Sequence, residues 1–129
     1  MSYRPEATER RHGRSSDTFV SLCRLLDQAR RDRGLSAVAV ADATGCLVAG
    51  SGALRLCEEL AALSTLPAND PRLDEVGFRG DRPKVRQLTI DGFEISISAL
   101  GDAQDADYAR LSDGCRRILT EGQPRLASF

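Results

Sequence analysis

Residues 35–63, LSAVAVADATGCLVAGSGALRLCEELAAL, constrain the fold more than any other part of the chain. Val38 and Val40 alternate with Ala37, Ala39 and Ala41, so this strand is apolar on both faces and needs cover on both sides of its sheet. Its alanine face lets a helix approach closely. Ala43-Thr44-Gly45 turns the chain, with Gly45 as the natural carrier of positive φ. Cys46 to Gly50 then return as the second strand of a hairpin. Gly50-Ser51-Gly52 makes a small-residue elbow with Ser51 as the expected N-cap. Beyond it, Leu56, Cys57, Leu60, Leu63 and Ser64 share the inner stripe of a helix over 53–65.

Upstream, Ser16 and Asp17 are candidate caps for a helix whose Phe19, Leu22, Cys23 and Leu26 recur at i, i+3, i+4 and i+7. Arg30, Arg31 and Arg33 sit in its last turn, where positive charge suits the helix dipole, and are read as a solvated end; Gly34 stops the helix. Downstream, Pro67 opens an irregular connection, PANDPRLDEVGFRGDRP, that runs to Pro83. Its length marks it as a candidate functional loop, with a short strand expected near 76–78. Residues 84–91 and 93–100 form a second hairpin around Asp91-Gly92. There Phe93, Ile95, Ile97 and Ala99 alternate with Glu94, Ser96 and Ser98, which predicts a second face that is polar or only partly covered. Asp107 caps a last helix carrying Tyr108, Leu111, Cys115, Ile118 and Leu119 on one stripe, ended by Gly122 and Pro124. The order α-β-β-α-(β)-β-β-α predicts an α/β (α+β) fold. It is a three-layer sandwich, with a mostly antiparallel sheet of about four or five strands and helices on both faces. One domain over 16–122 is expected between a mobile tail, 1–15, and a short C-terminal tail, 123–129.

Composition narrows the function. A net charge of −1, no tryptophan and acidic residues spread among the arginines argue against a nucleic-acid module. No apolar run approaches a membrane span and the N-terminus is polar, so a cytoplasmic protein with reduced cysteines is expected. Arginine almost wholly replaces lysine and alanine is abundant, as in GC-rich bacterial coding sequences. Cys23, Cys57 and Cys115 each fall on an inward helical stripe, Cys46 opens a strand, and no CxxC pair exists; the four read as small buried hydrophobes. Cys57-Glu58-Glu59 and Cys115-Arg116-Arg117 loosely match a cytidine deaminase layout. That chemistry needs two further thiolates in a P-C-x-x-C arrangement, whereas the later helix has one cysteine and no Pro-Cys pair. His12, the only histidine, lies in the tail, so a preorganised catalytic base is not expected. Lys84, the only lysine, has no phosphate-binding loop around it. Gly50-Ser51-Gly52 with Arg55 nearby is a weak anion motif, better explained by the elbow with Ser51 as its N-cap. No metal or cofactor is expected.

Across 17–119 the chain resembles the roadblock/dynein-light-chain superfamily. The resemblance rests on LSAVAVAD, ATG, CLVAGSG and LCEELAAL, flanked by FVSLCRLLDQA and VRQLTIDGFEISISALG. The chain departs from the family where Pro67 shortens the central helix and where GDAQDAD, 101–107, replaces a fifth strand. The resemblance implies a noncatalytic scaffold that forms homo- or heterodimers through the central helix and an adjacent sheet edge. Such a scaffold regulates small Ras-like GTPases or polarity and signalling complexes. It places a homodimer interface over 53–66 and 84–90, at Leu54, Cys57, Glu58, Ala61, Val85, Gln87 and Thr89. Leu54 also lies off the inward helical stripe, and Val85 is out of phase with Leu88 and Ile90. Two other readings stay open at this stage: a GAF-like sensor holding a small molecule between the sheet and the 66–83 connection, and a degenerate deaminase-like protein.

Overall fold

The computed structural model describes residues 13–67, 69–74 and 83–122. Strands β1 (Ala37–Asp42), β2 (Leu47–Ser51), β3 (Lys84–Ile90) and β4 (Phe93–Leu100) form one sheet in the order β2-β1-β4-β3. Every neighbouring pair is antiparallel. Helices α1 (Gly13–Arg33) and α3 (Asp105–Gly122) pack together on one face, and α2 (Leu54–Leu63) covers the other. This is the predicted three-layer α+β sandwich. The strand anticipated near 76–78 lies outside the described residues. Of the long connection, Pro71–Asp74 forms a 3₁₀ turn.

The two faces of β1 explain the layering. Val38 and Val40 join Leu22, Leu26, Ile97, Leu111 and Cys115 in the larger core beneath α1 and α3. Ala37 and Ala39 meet Cys57, Leu60 and Leu100 in a thinner core beneath α2. Methyl-sized side chains on that face let α2 lie close to the sheet. At Gly50 of β2, an added Cβ would come within 2.8 Å of the Cys57 sulfur.

Three local expectations change. First, α1 begins at Gly13, so Ser16 and Asp17 lie inside the helix; once nucleated, a helix gains a hydrogen bond for each residue added. Second, the Ser96 and Ser98 face of β4 is buried, at 6% and 1% exposure. Alternation shows which side a residue faces but not what covers it. Here Ser98 pairs with Ala39 on the face where α2 packs, and its hydroxyl has no hydrogen-bond partner among the described residues. Third, Phe93 is 66% exposed although its alternation assigns it to the core face. It adjoins the hairpin turn, where Asp91 and Gly92 have φ of 50° and 83°.

Asp107 caps α3 from inside the first turn rather than from the cap position. Its carboxylate accepts the Gln104 amide at 2.8 Å and the Arg33 Nε at 2.8 Å, tying the end of α1 to the start of α3. Thus Arg33 is not a merely solvated helix end. The Gln104 amide and then the Arg33 guanidinium hold the Asp107 carboxyl below the ordinary aspartate value of 3.8. A carboxyl depressed in the folded state stabilises the fold fully above its unfolded pKa, and that stability is lost as pH falls through the folded value. Asp107→Asn is therefore expected to lower the urea midpoint near pH 7 and to shrink the further loss seen on acidification to about pH 3. An acid dependence equal to that of the wild type would count against this role.

Candidate functional site

The edge strand β3 and the flank of α2 together form the candidate site, an interaction surface. The two-residue turn makes Ile90 and Phe93 a hydrogen-bonded pair, and such pairs alternate along an antiparallel ladder. Ile90, Leu88, Arg86 and Lys84 therefore bond inward to β4, while Val85, Gln87 and Thr89 direct their N–H and C=O groups outward. Through their pairing with Ser98, Ser96 and Glu94, the same three residues place their side chains on the face that carries α2. Among the described residues no strand pairs with this edge, and an edge of this kind is a template for a further strand. One outward acceptor is already engaged: the Arg116 guanidinium donates to the Thr89 carbonyl at 3.1 Å.

Of the seven residues expected at an interface, Gln87, Thr89 and Glu58 are exposed, and Leu54 and Val85 are half-buried. Cys57 and Ala61 are not at the surface; they are 2% and 1% exposed and help dock α2 on the sheet. Ala61 completes the i, i+3, i+4 stripe with Cys57 and Leu60, a place its small side chain does not announce. Beside that stripe Leu56 and Leu63 are partly exposed, Leu56 packing against the same core, while Arg55 and Ala62 are exposed.

The elbow before α2 differs from its expected form. Ser51 is a buried strand residue: its hydroxyl donates to the Asp27 carboxylate and accepts from the Arg30 Nε at 2.7 Å. It pins β2 to α1 and is unavailable to an anion. Ala53 stands at the N-cap of α2 with no side-chain cap bond.

The cysteines are dispersed. Cys57 and Cys115 lie in separate cores on opposite sides of the sheet, so they cannot ligate one ion. Burial raises the Cys57 thiol pKa and pushes that of Cys115 up to about 12, which disfavours the thiolate at either position. Cys46 is exposed in the turn ahead of β2, contrary to its expected strand position, and Cys23 is half-buried. Among the described residues, no three His, Cys, Asp or Glu side chains gather where a metal ion could be held. No described helix is long and apolar enough to cross a membrane.

The sequence matches no protein-family model and no curated protein. In structure the chain is similar to Myxococcus xanthus MglB, with a TM-score of 0.55 and 12% identity over 98% of each chain. At that identity the likeness concerns the fold alone.

Proposed function

We propose that this chain is a noncatalytic regulatory module that forms a homodimer and acts on a small Ras-like GTPase. The observation that carries this reading is the likeness of fold to MglB over nearly the whole of both chains. The described geometry supports it. The outward edge of β3 and the outer side of α2 border the same face, so a two-fold axis near them pairs both with their copies at once. Roadblock proteins dimerise through the corresponding elements and commonly regulate small GTPases. The exposed and half-buried members of the expected set, Leu54, Glu58, Val85, Gln87 and Thr89, are the proposed contacts.

Replacing Leu54 by Glu and Val85 by Lys together places charge on both patches without touching either core. The double variant is expected to be a folded monomer by light scattering, while the wild type is a dimer. It is also expected to lose any effect of the wild type on the GTP hydrolysis rate of a Ras-like GTPase from the same genome. A wild type that stays monomeric at high concentration would sink the dimer.

A further inference from the structure

On the α1 and α3 face, at the end where both hairpins turn, an open groove of about 570 Å³ lies beside the last turns of α3. Val48, Ile90, Phe93, Ile95 and Leu119 supply its apolar wall, and Asp42 and Glu94 border it. Phe93 is the most exposed large apolar side chain among the described residues. Asp42 is occupied within its own turn through one oxygen, which accepts from the Thr44 amide and hydroxyl and the Cys46 amide. Neither carboxylate has a cationic partner among the described residues. The groove thus fits an occupant that joins apolar side chains to a positive charge.

We propose that this occupant is the chain's own residues 123–129, QPRLASF. Leu126 and Phe129 provide the apolar groups, and Arg125 provides the charge. Position favours the same segment: α3 ends at Gly122, three residues beyond the groove residue Leu119. At the helical rise, the segment therefore starts roughly 5 Å along the axis from the wall. Seven residues reach at most about 23 Å when extended, enough to cross a groove of this size. Pro124 disfavours helical backbone at the residue before it, so the segment is not expected to continue α3. A tether this short holds the segment at an effective concentration in the millimolar range, so contacts too weak to retain a free peptide suffice. Docking in this way covers Phe93, and any other ligand of the groove must first displace the segment. The proposal does not depend on the dimer.

Amide NMR spectra of the full chain test it through two variants. Leu126→Asp with Phe129→Asp is expected to shift the amides of Thr44, Gly92, Phe93, Glu94 and Leu119. Phe93→Ala is expected to move the amides of residues 125–129 to random-coil positions. Unchanged amides at Val38 and Val40 show that the sheet is intact in both, as exposure of the replaced side chain at Phe93 leads one to expect. Groove amides that ignore the double substitution overturn the proposal. So do wild-type groove shifts that grow with protein concentration, because they make a second copy the occupant.

Discussion

Gly52→Val is expected to cost roughly 3–5 kcal/mol, combining an unfavourable backbone region with overpacking. Gly52 sits at φ 111°, where side chains are strained, and a Cβ there would lie 2.7 Å from the Ser36 carbonyl oxygen and 3.2 Å from the Ala37 Cα. Both obstacles belong to backbone at the start of β1, so neither can rotate away as a side chain does. A typical domain is stable by only about 5–15 kcal/mol, which makes this a large fraction of the whole. Gly34→Ala is the internal control. Gly34 also has positive φ, at 64°, but nothing lies within 4 Å of an added Cβ, so only the backbone preference, about 1 kcal/mol, is at stake. Urea denaturation compares the two. Equal losses would mean that the close packing of the elbow against β1 contributes nothing. The consequence reaches the proposed function, because this elbow fixes where α2 begins and hence where its outer side stands on the sheet face that β3 also presents.

The sheet was legible because its signals are local. Asp91-Gly92 between two alternating runs specifies the β3–β4 hairpin almost residue for residue, and the valine and alanine faces of β1 announce helices on both sides. What sequence could not convey is the extent of cover. Ser96 and Ser98 read as a half-wet face, yet α2 packs over the alanines paired with them. Phe93 reads as core, yet its position beside the turn leaves it at the open end of the sandwich. Ser51 looks like a cap because serine at an elbow usually is one. Its long-range partners Asp27 and Arg30 lie more than twenty positions upstream, beyond the reach of any local pattern. The interface resists reading for a related reason. Its residues are those left over from the protomer's own packing, so excluding Cys57 and Ala61 from it required knowing how deeply α2 sinks into the sheet.

That depth makes Leu60 the strongest test of how fold and function connect. Helix α2 has 10 residues and no side-chain cap, and helices shorter than about 12–15 residues are marginal in isolation. Its stability must come from docking, and Leu60, fully buried against Ala37, Ala39 and Leu100, is the largest side chain α2 inserts. Leu60→Ala is expected to cost about 2–5 kcal/mol, because alanines across the interface carry no atoms that can move into the cavity. For a domain of this size that corresponds to a fall in Tm of roughly 10 °C or more. Hydrogen exchange should show the α2 amides losing protection ahead of those in β1 and β4, which keep the valine side of the core. Because α2 also carries half of the proposed interface, the variant should lose the dimer together with this protection. The Leu54→Glu, Val85→Lys protein should lose the dimer while α2 stays protected. If Leu60→Ala unfolds every amide in a single step, α2 is integral to the cooperative core rather than a docked element, and the edge of β3 alone must account for pairing.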